Sequence, residues 1–201
     1  MRPLPRVFAF TDDTICRRAD FGVLAAAIAS GGPAVALVIK APNSTPAQVI
    51  AFAKRAMALA VPAEASVIVY GHPAVAKRVG AHGVHLTLDA DAATDGTGWV
   101  GLSAHDRDEA RRAAARRPSY LLAGNLFLSP SDPAIPAHGL DWARQISTLG
   151  VPFIAVGGIT AERVAAVRDA GAWGVAAQQA LWDAPDPAKA VMEFLRPWTE
   201  A

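Results

Sequence analysis

The chain has 201 residues, 52% of them hydrophobic and 18% charged, with 19 lysines and arginines against 18 aspartates and glutamates. A formal net charge of +1 lacks the basic excess of a nucleic-acid binder, and so high an apolar fraction excludes a disordered chain. The single cysteine, Cys16, excludes an intramolecular disulfide framework and fits a reducing compartment, while no apolar run approaches the ~20 residues of a bilayer span.

The start, Met1-Arg2-Pro3-Leu4-Pro5, has no apolar stretch of the signal-peptide kind. The expectation is therefore a cytoplasmic, single-domain globule over residues 1–201. In chain order, an apolar run at Val7–Thr11 is followed by helical spacing over Phe21–Ser30. The run Ala34–Lys40 precedes a helix over Pro46–Ala60, where Thr45 is the cap and Pro46 takes the first helical position. Ser66–Tyr70 leads to Pro73–Val79. Gly83–Thr87 leads to Asp89–Gly98, which lacks apolar periodicity and reads as loop, so the fourth helix is short or missing. Trp99–Ala104 precedes Asp106–Arg117, and Tyr120–Gly124 precedes Leu140–Leu149. Pro152–Val156 leads to Ala161–Ala170, opened by Thr160 and stopped by Gly171. Gly174–Ala177 and a helix over Asp186–Leu195 complete the series.

Most of these runs are continuously apolar rather than alternating, as expected of parallel strands covered on both faces. Eight strands alternating with helices define an α/β chain of the (β/α)8 TIM-barrel type, near the lower size limit of that fold. An open doubly wound sheet requires a glycine-rich turn after the first strand. Here that strand runs into Thr11-Asp12-Asp13.

In such a barrel, chemistry sits on the loops at the carboxyl ends of the strands. That rule nominates Asp12 and Asp13, Lys40, Tyr70 and His72, His85, Thr87 and Asp89, Ser103 and His105, Asn125, Gly157 and Gly158, and Gln178 and Gln179. The strongest signal is Val156-Gly157-Gly158-Ile159-Thr160 ahead of a helix. Glycines let a phosphate approach the backbone, and their N–H groups can point at it. The alternative is a plain tight turn. Ala177, Gln178 and Gln179 would supply the other half of a phosphate site. Of the five histidines, His82 reads as surface, His138 as solvated and His85 as packed and hydrogen-bonded. His105 can cap a helix, bond inside the mouth or serve as an acid/base. No pair has zinc-motif spacing, so no metal site is expected. Lys40 ends an apolar strand and needs a partner there, either Asp12, Asp13 or an anionic ligand, unless it snorkels to the rim. The arginines from Arg107 to Arg117 read as a solvated helix face, and Cys16 as structural.

The ordered set resembles the thiamine phosphate synthase/TenI family. Phe8-Ala9-Phe10-Thr11-Asp12, Val35-Ala36-Leu37-Val38-Ile39-Lys40, Gly83-Val84-His85-Leu86 and Gly101-Leu102-Ser103-Ala104-His105 resemble its first, second, fourth and fifth strands. Ser119 through Phe127 resembles the sixth, and Val156-Gly157-Gly158-Ile159 and Gly171 through Ala176 close the series. The likeness runs from about residue 7 to 190. It implies a small (β/α)8 barrel that handles the phosphorylated thiazole of thiamine biosynthesis. The family's synthase joins that thiazole to an aminopyrimidine and releases pyrophosphate, with magnesium. Its Gln-Leu-Arg-Glu-Lys pattern falls on Ala36, Leu37, Val38, Ile39 and Lys40 here. Its Asn-Asp pair falls on Tyr70-Gly71, its Gly-Gln on Thr87-Leu88, its metal-binding aspartate on Ala90 beside Asp89, and a loop lysine on Asp132. Some TenI members isomerise the thiazole phosphate carboxylate with a histidine after strand six, and that position is Asn125.

Three readings follow. The leading one is a TenI-like barrel without a cofactor, binding a thiazole-type phosphate monoester and open to isomerase chemistry. Gly157, Gly158, Ser103, Ala177, Gln178, Gln179, Thr87 and Asp12 would bind the ligand, and Asn125, His105 and Lys40 would carry catalysis. The second is a divergent synthase, the only reading that calls for Mg2+. The third is a non-catalytic interaction module, whose homo-oligomer contact Trp142, Trp173, Trp182 or Trp198 could anchor if exposed, core packing being the default for each. On every reading the partner is a small phosphorylated heterocycle or a protein, with no nucleic acid and no membrane.

Overall fold

The computed structural model describes residues 2–90, 98–129 and 135–200. Eight strands, β1 (Val7–Phe10), β2 (Val35–Ile39), β3 (Ser66–Tyr70), β4 (Gly83–Leu86), β5 (Trp99–Ala104), β6 (Tyr120–Ala123), β7 (Phe153–Ala155) and β8 (Gly174–Ala177), pair in parallel in chain order. The ring closes where β1 meets β8, with Val7 level with Val175 and Ala9 with Ala177. This is the expected (β/α)8 barrel. The helices are α1 (Asp13–Arg17), α2 (Phe21–Ala29), α3 (Pro46–Ala60), α4 (Pro73–Val79), α5 (Arg107–Ala115), α6 (Gly139–Ser147), α7 (Ala161–Asp169), α8 (Gln179–Trp182) and α9 (Pro187–Thr199). Among the described residues none is long and apolar enough to cross a membrane.

Local chemistry accounts for the elements. Helix α3 buries Val49, Ala53, Ala56 and Ala60, a spacing that lays one stripe on the barrel. Its start is a reciprocal cap: Gln48 N–H donates to Thr45 Oγ1 and Thr45 N–H to Gln48 Oε1, at 3.4 and 2.8 Å. Asp106 caps α5 by accepting from Glu109 N–H at 2.8 Å, so that helix begins one residue later than the sequence pattern suggested. Helix α1, of five residues, was not expected, because a segment so short carries no apolar period, whereas the four-residue α8 supplies the helix start expected after strand eight. Most of the expected loop Asp89–Gly98, residues 91–97, lies outside the described residues.

The strand alternation separates two cores. Phe8, Phe10, Ala36, Val38, Ile68, Trp99, Tyr120, Leu122, Ile154 and Ala176 fill the barrel interior. Their neighbours, such as Val7, Ala9, Val35, Leu37, Leu102 and Ala155, pack outward against the helices. The amino-terminal end is sealed by Trp173, whose indole N–H donates to the Leu4 and Pro5 carbonyls, both at 3.1 Å. The Arg6 guanidinium lies 3.7 Å over the Trp173 ring. The carboxyl-terminal rim is left for ligands.

Candidate functional site

The turn after β7 has the backbone only glycine adopts readily, with φ of +101° at Gly157 and +58° at Gly158. A Cβ on Gly157 would lie 2.6 Å from Asn125 Cα, and one on Gly158 would lie 2.3 Å from the Leu128 carbonyl oxygen. The two glycines therefore press directly on the loop after β6. That loop is fastened to them by Leu126 N–H donating to Val156 O and Phe127 N–H donating to Gly157 O, both at 3.0 Å. Among the described residues the N–H groups of Gly157, Gly158, Gln178 and Gln179 find no protein acceptor. The four follow the neighbouring strands β7 and β8, and unpaired amides are the donors an anion site uses. Arg163, in the first turn of α7, donates to the Gly158 carbonyl at 2.5 Å and lies 4.6 Å over the Phe127 ring, adding positive charge beside the turn.

Asn125 sits on the same loop in the left-handed region, at φ +53°, where asparagine is tolerated. Its carboxamide has no hydrogen-bond partner among the described residues and is half-buried. Lys40 continues the inward series of Ala36 and Val38. Its Nζ lies 5.2 Å over the Tyr70 ring and makes no ion pair among the described residues. The expected carboxylate partners are engaged elsewhere. Asp12 accepts from Ile15 N–H and from Gln178 Nε2, both at 2.7 Å. Asp13 accepts from Ser44 Oγ at 2.6 Å, from Asn43 and from Arg17. The Ser44 bond is the main reason the Asp13 carboxyl titrates below its usual range.

Other nominated residues are more scattered. His105 is exposed and tied to Glu109, through its backbone N–H at 2.8 Å and its Nδ1 at 2.9 Å. Thr87, Asp89 and Gln179 are exposed. The Ala177 side chain packs outward with the helices, so only its backbone reaches the rim. His82 is half-buried rather than on the surface, and its Nδ1 accepts from Val67 N–H at 3.0 Å. His138 is exposed, 5.5 Å from the Trp142 ring. Cys16 is buried, as expected, with its thiol on Thr11 Oγ1 at 3.3 Å. Trp142 and Trp182 are buried at 6% and 0% exposure, the core packing expected of them by default, so neither is an exposed anchor. Asp132 lies outside the described residues.

Beneath the mouth lies a network that sequence reading found only in part. His85 is fully buried, with Nδ1 3.1 Å from the Tyr120 hydroxyl and Nε2 2.9 Å from Ser103 Oγ. Tyr70 stacks on it at 5.1 Å, and Phe10 meets it edge-on at 6.4 Å. Burial first, then the charges of Lys40 and His105, push the His85 imidazole down to about 3. The ring is therefore neutral at physiological pH. An unfolded histidine titrates near 6.5, so between the two values the unfolded state holds the extra proton. Stability is complete above 6.5 and falls as pH drops through that window. Urea denaturation is expected to give an unfolding free energy roughly 2–3 kcal/mol lower near pH 4.5 than at neutral pH. Asp13, Asp20 and Glu162, held below their usual range by hydrogen bonds, deepen the loss at still lower pH. A flat profile from neutral pH to 4.5 would contradict a buried neutral His85.

Magnesium, implied by the family resemblance, takes oxygen ligands, usually one or two carboxylates with substrate phosphates. Among the described residues no three His, Cys, Asp or Glu side chains come together. Asp12 and Asp13 already accept bonds from the protein. The described residues therefore hold no preformed cage for magnesium, and Asp89, exposed just after β4, would be the carboxylate left to hold the ion together with substrate phosphates.

Tyr120, Gly101 and Arg163 were not singled out as site residues from the sequence, whereas Tyr70 was nominated at the end of β3. The signal for Tyr120 and Gly101 is the strand parity that places them inward, which needs the register. For Arg163 it is a basic residue in the first turn after the glycine pair.

A closed parallel ring with an unpaired diglycine turn beyond its seventh strand defines a small (β/α)8 barrel of the kind that presents its backbone to ligands at the rim. A sequence profile described as thiamine monophosphate synthase matches residues 7–181, and the chain belongs to this family. The thiamine-phosphate synthase of Salinispora tropica is 34% identical over 207 residues, covering 99% of this chain and 100% of that one. That of Serratia proteamaculans is 35% identical over 150 residues, covering 70% and 71%. The match to the Caldivirga maquilingensis enzyme, at 34% identity, covers 60% of this chain and 62% of that relative. Among solved structures, a thiamine phosphate pyrophosphorylase from Pyrococcus furiosus superposes with a TM-score of 0.83 at 24% identity, over 97% of this chain and 96% of that one. A 3-hexulose-6-phosphate synthase superposes at 0.69 with 21% identity, over 96% and 99%. These two share the fold.

Proposed function

We propose that this chain is a divergent thiamine phosphate synthase, joining a thiazole phosphate to an aminopyrimidine diphosphate with release of pyrophosphate. The full-length relative of that name, 34% identical, favours this reading over the TenI-like isomerase. The observation that carries ligand binding is the set of unpaired amides at Gly157 and Gly158. They would hold the phosphate monoester, with Asn125 offering its carboxamide to the ligand, Ser103 on the adjoining β5 and Lys40 at the end of β2. Lys40 is then the one cation retained from the family's second-strand pattern. Removing a preorganised donor to developing charge costs about 10²–10³ in rate, so turnover is expected to be slow beside relatives with the charged wall.

The second reading, a TenI-like isomerase or binder of the same phosphate ester, is favoured by one observation. Ala36, Val38 and Tyr70 line the interior where the synthase pattern has Gln, Arg and Asn. Thiamine phosphate formation from both substrates with magnesium decides between the two. Product above the no-enzyme background supports the synthase. Calorimetric binding of thiazole phosphate without product moves the assignment to the second reading, and no binding removes both.

A further inference from the structure

We propose that Tyr120 and His85 act as positioning residues that polarise Ser103, fixing its hydroxyl as a hydrogen-bond donor to the ligand. A neutral imidazole donates from one nitrogen and accepts at the other. Two arrangements satisfy the distances. In the first, Tyr120 O–H donates to His85 Nδ1, so the ring carries its proton on Nε2 and donates to Ser103 Oγ. In the second, Ser103 O–H donates to Nε2, and Nδ1–H donates to the Tyr120 oxygen.

The second arrangement strands the phenolic proton. Tyr120 is fully buried, its hydroxyl has no other partner among the described residues, and its ring faces Phe8 at 5.1 Å and the bare Cα of Gly101. An orphan donor in that apolar place is expensive. The first arrangement satisfies the fully buried Tyr120 and His85 donors and leaves only the Ser103 O–H, the one of the three with any exposure, free. Ser103, the next-to-last residue of β5, is 4% exposed and has no other partner among the described residues. Its proton is thus turned to the mouth, where an oxyanion can accept it. Burial also raises the Tyr120 phenol above its ordinary value, which keeps the donor protonated. Gly101 is part of the device, because any side chain there would strike both rings.

This inference rests on the proposed ligand site for its purpose, but its tautomer does not. The first test is nitrogen NMR of histidine-labelled full-length protein without ligand. His85 is expected to show a protonated Nε2 and an unprotonated Nδ1, with Tyr120→Phe abolishing the single tautomer. A ring protonated at Nδ1 overturns the proposal. The second test is calorimetry with thiazole phosphate. Ser103→Ala and Tyr120→Phe are each expected to weaken binding by about five- to tenfold, and the double variant by no more than Ser103→Ala alone. Additive losses, or full affinity in folded Tyr120→Phe, also overturn it. If the Nε2-protonated ring is found and thiazole phosphate does not bind, the ligand assignment falls and the polarised serine stands.

Discussion

Gly101→Ala is expected to cost about 4 kcal/mol of stability and to lower the melting temperature by roughly 8–16 °C. The new Cβ would sit 2.2 Å from Tyr120 Cζ and 2.5 Å from His85 Nδ1. Both rings are fully buried and neither can swing aside, because Phe8, Tyr70 and Phe10 hold their faces and edges. Overpacking of this kind costs about 1–3 kcal/mol or more. Separating the Tyr120–His85 bond adds about 1–3 kcal/mol for the donor left unpaired. Thermal and urea unfolding measure the sum. A melting temperature within about 2 °C of the parent, less than 1 kcal/mol on the size scaling, would mean that the barrel interior is not packed around those two rings.

Gly157→Ala should act on the ligand. At φ +101° an alanine is strained by about 1–3 kcal/mol. Its Cβ meets Asn125 Cα at 2.6 Å and the Asn125 and Leu126 nitrogens at 3.0 and 3.1 Å. These are main-chain atoms, so the whole turn must shift and carry its amides away. Losing two hydrogen bonds to a charged phosphate, each worth about 1.5–3 kcal/mol, is expected to weaken thiazole phosphate binding about 100-fold or more. Gly150→Ala is the control: φ is +72°, nothing lies within 4 Å of its Cβ, and it sits in the turn before β7 at the far end of the barrel. Calorimetry should find its affinity unchanged. Equal losses in both variants would point to general destabilisation instead of a phosphate turn.

Much of the fold was legible because burial on both faces writes itself as short unbroken apolar runs. Ala34–Lys40 and Gly83–Thr87 overshoot β2 and β4 by one residue at the ends they miss, and Ser66–Tyr70 matches β3. Helices with caps, such as the one behind Thr45, were equally plain. Asp13–Arg17 was not, since five residues show no stripe and Asp12 signals its cap only once Ile15 N–H is seen to donate to it. The diglycine turn could be located from sequence, but not whether its amides were already taken. His85 read as packed and hydrogen-bonded, and it is. Its partners could not be named beforehand, because Tyr120 is 35 residues away and meets it only through the sideways register of β4, β5 and β6. Lys40 needed a partner by charge arithmetic alone, and the aromatic face of Tyr70 lies beyond what such arithmetic can name.

The seam between β1 and β8 sets a schedule for synthesis. Val7 lies level with Val175, and Val175 N–H donates to the Arg6 carbonyl at 2.8 Å. The first strand made therefore waits for the last before its open flank is hydrogen-bonded. Joining segments so distant in sequence carries a loop-closure cost and slows the final step. Until Gly174 through Ala177 has left the ribosome, the nascent sheet shows two bare edges and a half-wetted aromatic lining, the surfaces through which incomplete chains adhere to one another. Emergence of the eighth strand, more than any local helix, times the moment at which the ring can close.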